Sequence, residues 1–155
     1  MSEQYQMVVI GAGSAGLTAA AFAGELGAKV ALIEKAKIGG DCTWMGCVPS
    51  KALLKVAKIA HEMRVADHYG ITSVVPEVDM KKVKAYIHNI IEEVYQGETP
   101  EVVSKRGVEV IEGEARFLDA HTVEVNGRQL KSKNCVVATC ARPLMLPIEG
   151  LSNME

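Results

Sequence analysis

A glycine-rich hexapeptide directly after an apolar tetrapeptide is the strongest constraint on the fold of this chain. Residues Met7–Ile10 have the sequence Met-Val-Val-Ile, and Gly11-Ala-Gly-Ser-Ala-Gly16 follows at once. The apolar residues predict a buried strand, and the glycines predict a tight turn that opens a helix. Small and apolar residues continue from Ser14 to Leu26, and Gly27 suits the end of that helix. We therefore predict an α/β fold that begins with a strand, a tight turn and a helix.

A second strand completes this first unit. The run Lys29–Ile33 is apolar and β-branched and ends in Glu34, and a strand–helix–strand unit favours parallel strands with a right-handed connection. Two longer amphipathic helices are predicted next, from about Pro49 to His68 and from the N-cap residue Asp79 onward. The apolar stripe expected on the first of them consists of Leu53, Val56, Ala57, Ala60 and Met63.

Short strands dominate the chain after Gly107. Apolar runs predict strands at 108–111, 115–118, 122–125 and 129–130 and a last buried strand at 134–139, with a hairpin turn at Asn126-Gly127. A length of 155 residues suits one domain. The expected fold is α/β, an FAD- or NAD(P)-binding, Rossmann-like parallel sheet with a small antiparallel β-meander.

The glycine hexapeptide also predicts a dinucleotide site. Gly11 permits the tight turn, Gly13 lets a pyrophosphate approach the backbone, and Gly16 lets helix and strand pack closely. The N–H groups at the start of the helix, at Ser14 and Ala15, suit the phosphates. Glu34 lies where a carboxylate is expected to accept hydrogen bonds from ribose hydroxyls and to repel a 2′-phosphate, which favours FAD or NAD over NADP. The alternative is a glycine-rich turn without a ligand.

Two cysteines, Cys42 and Cys47, lie five residues apart in a segment that runs to Lys51. On a regular helix their Cα atoms would be about 8–9 Å apart, beyond the roughly 7 Å limit for a disulfide. A bond between them needs an irregular turn, which we expect Gly46 and Pro49 to provide, with the intervening Val48 outside the α region.

The surroundings of the two cysteines predict an exchange-active pair. Cys47 is expected at or just before a helix N-terminus, which favours a thiolate, and Lys51 adds a positive charge one turn later. The alternatives are inert thiols or half of a metal site. The other two cysteines, Cys135 and Cys140, are predicted on a different strand, with Cys135 in the core, and the four histidines form no cluster in sequence. We therefore expect no metal site.

Composition and charge exclude two classes of partner. The chain has 17 Lys and Arg against 19 Asp and Glu and only 5% aromatic residues, so neither a basic surface nor a stacking platform for nucleic acid is expected. The stretch Met7–Gly24 is uncharged and long enough to span a membrane, but its four glycines fit the turn and helix better. We expect a soluble, cytoplasmic protein without a membrane partner.

A dinucleotide site and a redox dithiol within the first 51 residues imply electron transfer between them. Because a flavin can accept a hydride and pass the electron pair to a disulfide, the expected cofactor here is FAD, with a nicotinamide cofactor bound elsewhere.

These segments resemble the N-terminal part of the class I pyridine nucleotide-disulfide oxidoreductases, which include dihydrolipoamide dehydrogenase, glutathione reductase and mercuric reductase. The resemblance rests on residues 11–16, Glu34, residues 39–51, residues 113–117 and residues 138–143. It implies that Cys42 is the interchange thiol, that Cys47 is the flavin-proximal thiol of a charge-transfer complex, and that Lys51 lies near the flavin N5. Glu34 would hold the adenosine ribose, the backbone of Ala115 the adenine, and Thr139 the phosphate and ribityl region. The implied cofactor contacts also include Lys35, Gly40, Asp41 and Cys140.

Three positions depart from the family pattern. Cys140 replaces a glycine and would crowd the cofactor, Trp44-Met45 replaces Asn-Val, and Asp41 stands where Thr is common. The variant is more similar to the mercuric reductases, with dihydrolipoamide dehydrogenase as the alternative.

Family members are much longer than this chain. The resemblance therefore implies a truncated N-terminal portion of an FAD-binding domain, at residues 1–155, without the NAD(P)H-binding and dimerisation domains and inactive alone. The full-length protein would be a homodimer that acts on a small disulfide, a lipoyl group or Hg²⁺, with either NADH or NADPH as donor. Two alternatives stay open, a non-catalytic FAD- or ADP-binding module and an apo fragment.

Overall fold

The computed structural model describes residues 3–141, 144 and 146–151, and its centre is a six-stranded sheet in the order β3-β2-β1-β6-β5-β4. The strands are β1 (Glu3–Ile10), β2 (Val30–Glu34), β3 (Val108–Glu112), β4 (Arg116–Asp119), β5 (Thr122–Val125) and β6 (Arg128–Val137). The helices are α1 (Ser14–Glu25), α2 (Gly40–Trp44), α3 (Cys47–Arg64), α4 (Met80–Tyr95) and α5 (Pro100–Ser104), with a 3₁₀ turn at Ala66–Tyr69.

The sheet has a parallel half and an antiparallel half. Strands β3, β2, β1 and β6 are parallel, and Val8 in β1 pairs with Ala31 in β2 and with Cys135 in β6. Strands β4, β5 and β6 form the antiparallel meander. The turn between β5 and β6 is Asn126-Gly127, where both residues have positive φ. The predicted combination of a parallel sheet and a β-meander is confirmed.

Each face of the parallel half is covered differently. On one face α1 packs through small residues, Ala20 and Ala23, against strand residues that include Leu32 and Val108. The other face is closed by apolar residues of the meander, namely Val123, Val125 and Leu130. Small residues on α1 let its axis lie close to the sheet, which places its N-terminus beside the ends of the strands.

The bounds predicted for the last strands were wrong. The strand predicted in two pieces at 129–130 and 134–139 is the single strand β6, which ends at Val137. Its polar middle suggested a break, but Ser132 is buried and its hydroxyl donates to the Asn134 carbonyl at 2.8 Å. Because β6 has neighbours on both sides, its backbone hydrogen bonds carry it through that stretch.

The first long helix also differs from the prediction. Helix α3 begins at Cys47 and ends at Arg64, and the stretch predicted to continue it to His68 forms a 3₁₀ turn. Its buried residue is Ala52, whereas Leu53, in the predicted apolar stripe, is 45% exposed. In the part of the chain that the structure describes, no helix combines the length and hydrophobicity that a membrane span requires.

A charged cluster joins the amino ends of three strands. Arg128 of β6 donates to Glu3 of β1 and to Glu109 of β3, each at 2.8 Å, and the Tyr5 hydroxyl donates to Glu109 at 2.6 Å. Hydrogen bonds from Arg128 and Tyr5 lower the pKa of Glu3. Burial alone would raise the pKa of Glu109, but hydrogen bonds from Tyr5 and Arg128 outweigh it and lower that pKa too.

This cluster predicts a loss of stability in acid. A carboxyl whose pKa is lowered by folding stabilises the fold above its ordinary value of 4.5, and that contribution is lost as the pH falls through the folded pKa. We expect the free energy of unfolding to fall more between pH 7 and pH 3 in the wild type than in Arg128→Met. Urea titrations at both pH values measure this, with Arg116→Met as the control, because its ion pair with Glu124 is solvent-exposed. Equal losses in wild type and Arg128→Met would contradict the prediction.

Candidate functional site

The carboxyl ends of four parallel strands bring the predicted site segments to one edge of the sheet. Residues 11–16 follow β1, residues 35–42 follow β2, residues 113–115 follow β3, and residues 138–140 follow β6. In open α/β sheets, ligands bind at this edge. The structure therefore places together segments that are up to about 130 residues apart in the sequence.

The glycine turn has the tight geometry that the sequence predicts. Gly11 has φ of +99°, and a Cβ there would overlap the carbonyl oxygen of Ala138. A Cβ on Gly16 would overlap the carbonyl oxygen of Gly11. The turn can therefore exist only with glycine at both positions, and it leaves the N-terminus of α1 at Ser14 facing the edge of the sheet.

Glu34 has a structural contact that the sequence does not reveal. Its two carboxylate oxygens accept hydrogen bonds from the backbone N–H groups of Ala12, at 2.6 Å, and Ala36, at 2.8 Å. The carboxylate thus fixes the glycine turn to the end of β2, and each oxygen keeps a second lone pair for a ribose hydroxyl. The neighbouring Lys35 forms an exposed ion pair with Glu114 at 3.2 Å.

The dithiol segment lies directly against the glycine turn. The Gly39 N–H donates to the Ala12 carbonyl at 2.8 Å, and Gly39 forms a parallel bridge with Gly13. A Cβ on Gly40 would lie 2.9 Å from the Cα of Gly13. Since Gly39 and Gly40 both have positive φ, glycines on both segments allow the backbones to meet.

A short helix, α2, carries Cys42 and was not predicted. It ends where the N–H groups of Met45 and Gly46 both donate to the Asp41 carbonyl, at 2.9 and 2.6 Å. The backbone turns at Gly46, and α3 starts at Cys47. The predicted irregular turn is therefore confirmed at Gly46.

Pro49 and Val48, by contrast, lie in the first turn of α3, so the expectation that Val48 leaves the α region was wrong. The missing N–H of Pro49 costs no hydrogen bond there, because N–H groups in a first turn lack helical partners.

The turn brings the two thiols close enough to affect each other's titration. All four cysteines lie in the described residues and are free thiols, with Cys42 half-buried and Cys47 exposed. Hydrogen bonds from the Cys47 thiol and the Ser14 hydroxyl lower the pKa of Cys42, aided by the Cys47 N–H and the charge of Lys51. The shared proton and partial burial raise the pKa of Cys47. The directions of the two pKa shifts favour the thiolate on Cys42, whereas the sequence predicts it on Cys47; the Cys47 N–H and the charge of Lys51 act on both sulfurs.

Ser14 is the residue of the glycine turn that acts on the dithiol. Replacing Ser14 by Ala removes a donor to the Cys42 sulfur, so we expect the pKa of Cys42 to rise. The pH dependence of iodoacetamide labelling at Cys42, followed by peptide mass spectrometry, measures the shift. Ser50→Ala is the matched control because Ser50 is exposed on α3. An unchanged profile in Ser14→Ala would contradict the contact.

The remaining predicted site residues lie around this centre. Thr139 and Cys140 follow β6 and are exposed. Cys140 has φ of +60°, and its Sγ lies 3.5 Å from Oδ2 of Asp41. Ala115 packs at the rim of the second core cluster. The resemblance at residues 142 and 143 lies outside the described residues.

Cys135 is half-buried against the same cluster, which confirms its predicted packing role, and burial raises its pKa. All four histidines are exposed. Among the residues that the structure describes, no group of three or more His, Cys, Asp or Glu side chains is arranged to hold a metal ion.

A cavity of about 150 Å³ opens beside Glu34. Its lining consists of Glu34, Ala36, Lys37, Ile38, Trp44, Tyr95 and Glu112. Trp44, the last residue of α2, therefore forms one wall of this cavity. Tyr95 comes from the end of α4, and no sequence pattern near it pointed to the site.

The comparison with known families shows which family this fold belongs to. A family model described as pyridine nucleotide-disulphide oxidoreductase matches residues 5–155. The chain belongs to the pyridine nucleotide-disulphide oxidoreductase family. This oxidoreductase chain is 36% identical over 153 residues to a mercuric reductase of Lysinibacillus sphaericus and 35% identical over 152 residues to a dihydrolipoyl dehydrogenase of Acholeplasma laidlawii.

The two matches cover 99% and 97% of this oxidoreductase chain but only 28% and 45% of the relatives. A solved structure of the HOCl-induced flavoprotein disulfide reductase RclA of Escherichia coli, a Cu(II) complex, superposes with a TM-score of 0.75 at 25% identity. That match covers 96% of this chain and 31% of the other. The resemblance drawn from the motifs is confirmed, and membership of the oxidoreductase family implies a flavin cofactor.

Proposed function

We propose that this chain is the FAD-binding, dithiol-bearing portion of an NAD(P)H-dependent reductase of a disulfide, a lipoyl group or Hg²⁺. The observation that carries the proposal is the contact between the two parts of the site. The Gly39 N–H, at the start of the dithiol segment, donates to the Ala12 carbonyl of the glycine turn at 2.8 Å, and Gly39 bridges Gly13. A cofactor on the glycine turn would therefore lie beside the dithiol. Residues 1–155 would be the N-terminal portion of the FAD-binding domain of a homodimeric, cytoplasmic enzyme whose nicotinamide site lies outside this segment.

The residues at the edge of the sheet fit an FAD molecule. Because Gly11 and Gly16 have no side chains, a ligand can approach the backbone of the turn. The first N–H groups of α1 suit a pyrophosphate. Glu34 is held in place by two backbone N–H groups and keeps lone pairs for the ribose. Lys51 lies one turn into α3, beside the dithiol. We propose that the backbone at Ala115 and Thr139 completes the cradle.

When bound, FAD supplies the passage of two electrons from NADH or NADPH to the Cys42–Cys47 disulfide. With these two electrons and one proton, the S–S bond would break to leave a thiolate on Cys42 and a thiol on Cys47. The lowered pKa of Cys42 favours that distribution of the proton, and Lys51 adds a stabilising charge.

The reduced pair can then reduce a disulfide substrate in two exchanges. The Cys42 thiolate attacks one substrate sulfur, forms a mixed disulfide and expels the other sulfur as a thiol. The Cys47 sulfur then attacks the sulfur of Cys42, expels the second substrate thiol and restores the Cys42–Cys47 bond. The proton of Cys47 and one from solvent leave with the two thiols. For Hg²⁺, the same two sulfurs would bind the ion while it accepts the electron pair.

FAD binding and thiol counting test the proposal on the chain itself. We expect the purified chain, mixed with FAD and desalted, to stay yellow and to show two additional reactive thiols after mild reduction of the oxidised form. A yellow protein without the two additional thiols would indicate a non-catalytic binding module. A colourless protein would indicate an apo fragment, and either result would overturn the proposal.

Cys140 is the position where this chain departs most from the proposed cradle. A Cβ at φ of +60° costs about 1 kcal/mol relative to glycine, and the side chain lies at the cofactor edge beside Asp41. We expect Cys140→Gly to bind FAD several-fold more tightly than the wild type, measured by fluorescence titration, with Cys135→Ala as the control. Weaker binding in Cys140→Gly would show that the thiol contacts the cofactor favourably.

A further inference from the structure

We propose that Trp44 is a positioning residue for the Cys42–Cys47 pair and that its anchorage makes the disulfide harder to reduce. The inference rests on the proposed function, because it concerns the same dithiol. Trp44 is the last residue of α2 and lies between the two cysteines in the sequence.

The indole of Trp44 is held on three sides. Its Nε1–H donates to the Ile38 carbonyl at 2.7 Å. Its ring lies 5.0 Å from the ring of Tyr95, tilted by 53°, and the ammonium group of Lys37 lies 4.2 Å above it. A ring that only filled space would need neither the short hydrogen bond nor the cation.

The residue before Trp44 is tied to the same side of the molecule. Thr43 is 2% exposed, and its hydroxyl donates to a carboxylate oxygen of Glu98 at 2.8 Å. Glu98 and Tyr95 both belong to the end of α4 and the turn that follows it. Two consecutive residues directly after Cys42 are therefore fixed to α4 and to the loop before α2.

The other half of the segment between the cysteines is not fixed in this way. Met45 is 75% exposed, and Cys47 is exposed. The contacts of Thr43 and Trp44 thus fix the backbone that follows Cys42, whereas the side chains of Met45 and Cys47 are open to solvent. We therefore expect Cys42 to keep its position when the disulfide opens and closes.

A fixed Cys42 raises the effective concentration of one thiol at the other. Disulfide geometry is narrow, with Cβ atoms about 3.8 Å apart, so freedom of α2 would reduce the fraction of time in which the bond can form. In the equilibrium with dithiothreitol, the external dithiol is oxidised to its cyclic disulfide while the Cys42–Cys47 bond breaks and both sulfurs take a proton. We expect loss of the Trp44 anchorage to shift that equilibrium about tenfold toward the protein dithiol, which corresponds to about 30 mV.

The test compares four forms of the full chain in dithiothreitol redox buffers, with acid quenching, alkylation and mass spectrometry of the 42–47 peptide. Trp44→Phe keeps the ring and loses the hydrogen bond to Ile38, and Trp44→Ala loses both. Met45→Ala is the matched control between the same cysteines. We expect a small shift in Trp44→Phe, a shift of about tenfold in Trp44→Ala, and none in Met45→Ala. Thermal unfolding of the reduced and oxidised forms is measured in parallel.

The outcomes separate this inference from the proposed function. If the wild type forms no Cys42–Cys47 disulfide, the proposed function fails. If the disulfide forms and Trp44→Ala lowers the melting temperature of both redox forms equally without moving the equilibrium, Trp44 only packs and this inference is overturned. Should Trp44→Ala fail to fold, Tyr95→Leu removes the ring contact from α4 and is expected to shift the equilibrium in the same direction; an unchanged equilibrium there also overturns the inference.

Discussion

Replacing Gly11 by Ala is expected to destabilise the fold by about 3–4 kcal/mol, of which the left-handed backbone accounts for about 1 kcal/mol and overlap for about 2–3 kcal/mol. The added Cβ would overlap the Ala138 carbonyl oxygen, a backbone atom. Ala138 cannot move aside easily, because its N–H donates to the Ile10 carbonyl at 2.8 Å and so holds the end of β6 against β1. Urea unfolding followed by circular dichroism measures the loss.

Gly70 provides the matched control for Gly11. It has φ of +75°, and among the described residues no heavy atom lies within 4 Å of the Cβ that alanine would add. Gly70→Ala should therefore cost only the backbone part, about 1 kcal/mol. If the free energies of unfolding of the two variants differ by less than about 1 kcal/mol, the end of β6 moves aside for the added carbon. That result would contradict a rigid turn at Gly11.

The second large effect is expected at the two thiols of the site. When the reduced chain meets an aromatic disulfide such as 5,5′-dithiobis(2-nitrobenzoate), the pair should release two thionitrobenzoates from each reagent molecule. Cys42 releases the first by attack, and Cys47 releases the second by resolving the adduct. In Cys47→Ser we expect one release and a stable adduct on Cys42. In Cys42→Ser the first release should slow at least about tenfold, because the thiolate favoured at Cys42 is lost.

The other cysteines set the background for this measurement. Cys140 is exposed and would react by itself, so all variants are compared in a Cys140→Ser chain. Burial raises the pKa of Cys135, which keeps its reaction slow. Absorbance at stoichiometric reagent gives the released amount, and mass spectrometry locates the adduct. Two releases from Cys47→Ser, or an unslowed Cys42→Ser, would reverse or remove the assigned roles.

The beginning of the fold could be predicted because its signals are local. The strand before Gly11, the helix after it and the strand ending at Glu34 each follow from adjacent residues. Helix α2 could not be predicted in the same way. It has only five residues, Gly40–Trp44, with glycine, aspartate and threonine among them, so tertiary contacts rather than helix propensity hold it.

The site could be predicted only in part for the same reason. Residue spacing predicted an irregular turn at Gly46 between Cys42 and Cys47, and the structure confirms that turn. The second role of Glu34, as an acceptor for two backbone N–H groups, depends on where the glycine turn lies in space. The contact of Trp44 with Tyr95 joins residues far apart in the sequence, and no local pattern announces it.

The position of β6 beside β1 also determines the order in which the molecule is assembled. Val8 finds its first partner, Ala31, soon after it leaves the ribosome, but its second partner, Cys135, follows only about 100 residues later. Until then the central strand of the future sheet presents an unpaired, apolar edge, which is open to pairing with other chains. Because Ala138 closes over Gly11 only when β6 is in place, the phosphate turn takes its final form only after β6 has joined the sheet.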